Sequence, residues 1–171
     1  MNVNTAFNDL NSSKIFKEWK KQFPSSYISH FYGSLDQQFT VGTWEVGYYI
    51  PEHDKIAIFV VSNPIEMKPE SEVFKETKTI EELDFSHVTV SQQDALKKYE
   101  EVKNEKYSAE HLLKGFVILQ KFKTHLMWNI SYVTQSLKIL NIKIDAVNSN
   151  VISEDLVTVV EQKSGTAPKT L

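Results

Sequence analysis

Two stretches of this chain read as one pattern written twice. From Trp44 the sequence runs WEVGYYIPEHDKIAIFVVS, and from Trp128 it runs WNISYVTQSLKILNIKIDA. Trp44 matches Trp128, Val46 matches Ile130, Gly47 matches Ser131 and Tyr48 matches Tyr132 at one constant offset. With a single gap in the turn, Lys55, Ile56 and Phe59 match Lys138, Ile139 and Ile142. Self-similarity over this length predicts one supersecondary unit used twice. It constrains architecture strongly and chemistry weakly.

The first unit opens with a helix. Ser12 or Ser13 supplies its cap, Ile15, Phe16, Trp19 and Phe23 fall at helical spacing, and Pro24 stops it. Strands are expected at 27–33, 39–50 and 55–62, the last two joined by the turn Pro51-Glu52-His53-Asp54. A charged segment follows over roughly 66–82, with a short helix expected at 70–76, and then a strand at 85–90. The second unit repeats the order. Ser91 caps a helix whose apolar face is Ala95, Leu96, Tyr99 and Val102, spaced as Ile15, Phe16 and Trp19 are. A short helix is expected after Ser108, and strands at 116–123, 126–134 and 138–146. The expected units are 1–79, with its charged linker, and 80–161. The tail, 162–171, has the composition of a disordered end.

Composition narrows the function classes. The 171 residues are 41% hydrophobic and 24% charged, an ordinary globular composition. A net charge of −3 gives no electrostatic ground for a nucleic-acid partner. All 19 basic residues are lysine. The missing arginine fork argues against phosphate recognition, although AT-rich codon usage produces the same bias. Without cysteine there are no disulfides, thiolate metal sites or cysteine nucleophiles. The first residues, MNVNTAFNDLNSSKIFKEW, lack the apolar run of a signal peptide, and no membrane span is expected. As written, the chain reads as cytoplasmic. It would be extracytoplasmic if an upstream leader had been trimmed.

The second unit also resembles a PepSY-type module, of the peptidase-propeptide and YpeB kind. The helix VSQQDALKKYEEV, the tryptophan opening the strand WNISY, and the strand and turn IKIDAVNSNVI carry the likeness over about 88–155. Asn150 stands where the family commonly has glycine, and asparagine tolerates a left-handed turn. The first unit keeps the tryptophan and hairpin but has Val60-Val61-Ser62-Asn63-Pro64 in place of the Ile-Asp turn. The resemblance implies an α+β module, a helix packed on a curved antiparallel sheet; with the internal repeat, the expected fold is α+β, two tandem helix-plus-antiparallel-sheet repeats, PepSY- or cystatin-like, packed about a pseudo-twofold. It also implies a role in inhibiting or regulating a protease or a cell-envelope partner.

No catalytic constellation stands out, and the reading is of a non-enzyme. His30, His53, His87, His111 and His125 show no metal-ligand spacing, and neither a GxSxG elbow nor a glycine-rich phosphate loop is present. No metal or cofactor is expected. Asp145, closing a strand, is expected to accept backbone N–H bonds from the turn after it. Trp44, Val46 and Tyr48, with Trp128, Ile130 and Tyr132, are expected in the core.

The informative feature is a difference between the units. In 138–145, Leu140, Ile142 and Ile144 alternate with Asn141, Lys143 and Asp145, giving one dry face and one wet. In 55–62, Ala57, Phe59 and Val61 face the core, yet Ile56, Ile58 and Val60 are apolar outward as well. Strand parity places Tyr49 and Ile28, His30 and Tyr32 around them. An apolar second face is covered by something. The cover is internal, from Phe85, Val88 and Val90 or the other unit, or it is a protein partner, a second copy or a ligand. The reading that follows is a non-catalytic binding module. A small-molecule binder using the concave sheet face of the first repeat is the alternative.

Overall fold

The computed structural model describes residues 1–72 and 80–159. In chain order these form α1 (Val3–Ser12), α2 (Lys14–Gln22), β1 (Tyr27–Leu35), β2 (Val41–Ile50), β3 (Lys55–Val61) and β4 (Glu66–Glu72). A 3-10 turn (Phe85–His87) leads to α3 (Gln92–Lys106), β5 (Leu112–Phe122), β6 (His125–Thr134), β7 (Lys138–Asp145) and β8 (Val151–Thr158). The strands make one eight-stranded antiparallel sheet in the order β4-β3-β2-β1-β5-β6-β7-β8. The chain is therefore α+β. Its two halves meet along β1 and β5, where Phe31 pairs with Leu119 and Tyr32 with Ile118.

Local chemistry starts each helix. The side chain of Asn2 caps α1, Ser13 Oγ accepts from the Phe16 amide at 3.3 Å, and Ser91 Oγ accepts from the Asp94 amide at 3.1 Å. The helices lie on one face of the sheet. Phe7 of α1 meets Phe31, while Phe16 and Trp19 of α2 meet Tyr48 and Phe59. Tyr99 of α3 packs against Tyr132 with the rings tilted by 41°, and its hydroxyl donates to the Leu140 carbonyl at 3.4 Å. This inner face holds Phe31, Trp44, Phe59, Leu119, Trp128, Ile130, Leu140 and Ile142, all fully buried. Each contributes roughly 1.5–3 kcal/mol of transfer free energy.

Both tryptophans do the same work. Trp44 pairs across the sheet with Gly33 and Val61, and its indole N–H donates to the Met1 carbonyl at 3.1 Å, just before the α1 cap. Trp128 pairs with Leu119 and Ile144 and donates to the Val90 carbonyl at 3.0 Å, just before the α3 cap. The starts of α1 and α3 touch, the Val3 amide donating to Gln92 Oε1 at 3.1 Å. By these contacts α1 and α3 each begin beside a tryptophan of the sheet. Phe16 and Trp19 are buried on α2 as their spacing predicts, while Ile15, expected on the same face, is 38% exposed and lies off it.

Other expectations need correcting. Residues 70–72 lie in β4 and not in a helix, while 73–76 fall outside the described residues. β4 reads EMKPESE, with Met67 its one large apolar residue and no alternating apolar face. An edge strand needs no apolar face, and its charges and Pro69 are what an edge tolerates. α1 and β8 were not expected. α1 has weak intrinsic propensity and is held by burial of Val3, Ala6 and Leu10. The stretch 85–90 is a 3-10 turn and coil. After Ser108 the chain turns straight into β5 instead of forming a helix. The left-handed residue in the β7–β8 turn is Ser149, with φ 65°, and not Asn150. Asp145 acts as expected, its Oδ1 accepting from the Val147 and Asn148 amides at 2.8 and 3.1 Å. The charged linker is only partly described, and the tail 162–171 lies outside the described residues.

Candidate functional site

The register of the ladders lays out the face opposite the helices. One row runs Lys68, Ile58, Gly47, His30, Gln120, Met127 and Asp145, from β4 to β7. The next runs Val60, Glu45, Tyr32, Ile118, Asn129 and Lys143. A third, shorter row is Ile56, Tyr49 and Tyr27. The structure therefore brings His30, Tyr32, Tyr49, Ile56, Ile58 and Val60 together on this outer face. Ile28 does not join them. The register shifts between Ile28 and His30, and Ile28 pairs with Tyr48 on the helix side. A bulge at Ser29 reverses strand parity, as one extra residue must. Tyr27 takes the place that parity had given to Ile28. The bulge is pinned by Ser29 Oγ, which donates to the Gly47 carbonyl at 3.1 Å.

The internal cover expected for this face goes elsewhere. Phe85 packs against Phe7 and Phe31, and Val88 and Val90 join the same helix-side core. Among the described residues no helix or strand is stacked on the outer face. Ile80 reaches its margin, where its carbonyl accepts from the Tyr27 hydroxyl at 2.8 Å. Ile56, Ile58, Val60, His30 and Tyr32 are half-buried, and Tyr49 and Ile118 are buried. Phe116 stacks on Tyr32 with ring centroids 5.9 Å apart and extends the apolar stripe onto β5. Sequence reasoning did not include Phe116, Ile118 or Tyr27. The joining of β1 to β5 brings in the first two and the bulge the third, and neither is visible in strand periodicity.

The stripe is almost free of charge. Glu45 is held by Lys68 at 2.7 Å. The His30 ring lies on Gly47, where a Cβ would come within 2.3 Å of its Cε1, so only glycine fits beneath it. Desolvation pushes the imidazole down to about 4, with Glu45 opposing the shift, and Ser29 Oγ sits 2.9 Å from Nδ1. Beyond Ile118 the face turns polar. Asn141 donates to Asn129 and Ser131 at 2.6 and 2.7 Å, and Lys143 follows.

Two other polar places stand apart from this face. A depression of about 550 Å³ beside the β1–β2 turn is lined by Asp36, Gln38, Thr40 and Lys114, among others. Glu110 is buried, bonded to Lys138 at 2.8 Å and Ser136 at 2.5 Å, which pull its carboxyl down to about 2. That cluster ties the α3–β5 connection to the β6–β7 turn. Among the described residues no group of three or more His, Asp or Glu side chains could hold a metal ion, and no helix is long and apolar enough to cross a membrane.

Fold and face together define an antiparallel α+β protein with its described helices on one side of the sheet and a partly apolar surface on the other. No protein-family model matches the chain, and no curated protein matches it. Among solved structures it is similar to one described as a "putative lipoprotein" of Clostridium difficile 630. The TM-score is 0.50 at 11% identity, over 83% of this chain and 90% of that one. At that identity the likeness is one of fold alone.

Proposed function

We propose that this protein is a non-catalytic binding module whose contact surface is the outer face of β1, β2 and β3, built from two divergent PepSY-like units. The observation that carries the reading is an apolar stripe on the side of the sheet away from the helices, with no described element laid over it. Matched strands support the duplication: Ile58 and Val60 in β3 stand where β7 has Asn141 and Lys143. One copy keeps the wet outer face of a structural sheet, and the other has exchanged it for a sticky one. A regulator or inhibitor acting by surface contact needs such a face and no reactive group. A small-molecule ligand on the same face is the second reading, favoured by the neutral His30 imidazole set among Tyr27, Tyr32 and Tyr49.

Ile58→Lys tests the surface itself. With no described layer to displace, a lysine stem lies along the stripe and its ammonium reaches water. The variant should keep a cooperative melt and lose less than about 1 kcal/mol. Sub-micromolar protein keeps association from contributing. A loss above about 3 kcal/mol would mean that the face is interior, and the proposal would fall.

A further inference from the structure

We infer that the free edge of β8 is a contact site separate from the outer face, and that it takes an extended segment of a partner protein as an added strand. A lysine or arginine of that segment lies beside Asp155 and an aliphatic residue against Val157. Backbone geometry is the first argument. The Val159 amide donates to the Leu137 carbonyl at 3.0 Å, whereas the Lys138 amide turns back to Thr134 Oγ1 at 3.3 Å. Opposed residues in an antiparallel ladder alternate between bonded and unbonded pairs. Carried through the register Lys138–Thr158, Leu140–Leu156 and Ile142–Glu154, this points the N–H and C=O groups of Glu154, Leu156 and Thr158 away from β7. β8 ends the sheet, and among the described residues no strand pairs with that side. Donors and acceptors repeating at strand spacing are matched by an extended chain. The contrast between the two edges is the second argument. β4 carries Lys68, Pro69 and a register shift in its middle, devices that keep an edge from accepting a strand. β8 has neither lysine nor proline, its register shift lies outside 154–158, and Val157 and Val159 are exposed beside it. Charge chooses the occupant. Glu154 is held by Lys106 at 2.7 Å, while Asp155 is exposed and makes no ion pair among the described residues. β8 contains no basic residue, so pairing it with the β8 of a second copy sets no cation opposite Asp155. A strand of a different protein supplies one.

Amide-resolved hydrogen exchange on the full chain tests this. In dilute protein the amides of Glu154, Leu156 and Thr158 should exchange at least about tenfold faster than those of Asp155 and Val157, which the β7 ladder holds. The probe is a capped heptapeptide of threonines with lysine at its centre and valine two residues to either side. At millimolar concentration it should slow the three outward amides about tenfold or more. Glutamate in place of the peptide's lysine should weaken binding about threefold or more. Asp155→Lys, at an exposed position, should reverse that preference. Thr158→Pro removes an outward donor and none of the ladder's, and should weaken binding of the lysine peptide about tenfold. If that variant fails to fold, the charge reversal at Asp155 still decides. Outward amides already protected in the dilute chain overturn the inference, because the chain then covers its own edge. Protection that rises with protein concentration alone overturns it in favour of a second copy. A lysine peptide that protects none of the three amides overturns it, as does a charge preference that Asp155→Lys leaves unchanged. None of these outcomes bears on the outer face, which Ile58→Lys tests separately.

Discussion

The imidazole of His30 rests on Gly47 beside Ser29, with its nearest charge on Glu45, which Lys68 already holds. Burial favours the neutral ring, so its affinity for a proton falls from the ordinary 6.5 to about 4 in the fold. The unfolded chain binds that proton more readily. Stability from this residue is therefore complete above pH 6.5, drains as the pH falls toward 4, and changes no further below it. The loss should be about 1–3 kcal/mol, the lower part because the ring is only half-buried. Glu110 adds a separate acid step, lost between the usual carboxylate range and about 2. Urea titrations at closely spaced pH values check this. In His30→Gln the slope between 6.5 and 4 should flatten, and an unchanged slope would mean that the imidazole binds its proton as readily in the fold as in the unfolded chain. Residue by residue, legibility was uneven. Asp145 revealed its turn because an acid closing a strand has few other uses. His30 carried no such mark, since its burial comes from a glycine on the neighbouring strand and a bulge one residue before it.

At the level of elements, the six inner strands β1, β2, β3, β5, β6 and β7 are legible from apolar patterning, by alternation most clearly in β7 and by short apolar runs in β3 and β5. The edge strands escaped for the opposite reason: β4 has Met67 as its one large apolar residue, and β8 carries Ser153, Glu154 and Asp155 in its middle. α1 escaped because tertiary burial, and not propensity, holds it. The matched tryptophans give the proposed duplication a quantitative form. Each indole is fully buried and donates to the carbonyl that precedes a helix cap. Trp44→Ala and Trp128→Ala should then cost similar amounts, about 3–5 kcal/mol each. Asp145→Asn should cost about 1–2 kcal/mol, since it weakens turn bonds without opening a cavity. Denaturant melts in which one tryptophan is cheap and the other ruinous would argue that the two halves use the motif differently.

For the molecule as a whole, the question is whether two halves make one folding unit. The contacts between them are continuous. β1 and β5 share a ladder from His30–Gln120 to Leu35–Gly115. The Tyr132 hydroxyl of the second half donates to the Asp36 carbonyl of the first at 2.8 Å, and Phe39 wedges against Tyr99 and Tyr132. Each half alone would leave the backbone N–H and C=O groups along one edge of a central strand, β1 or β5, without their ladder. A sheet joined through its middle has no low-cost place to break, so unfolding should be a single transition. Trp128→Ala provides the test, because it removes the second half's only tryptophan and leaves Trp19 and Trp44 as reporters of the first. If the halves are coupled, the fluorescence melt of this variant falls by the same amount as its far-UV melt, although no reporter lies in the damaged half. A first half that still melts at the wild-type temperature would show two independent domains sharing an edge, and the stabilising role assigned to the β1–β5 ladder would be wrong.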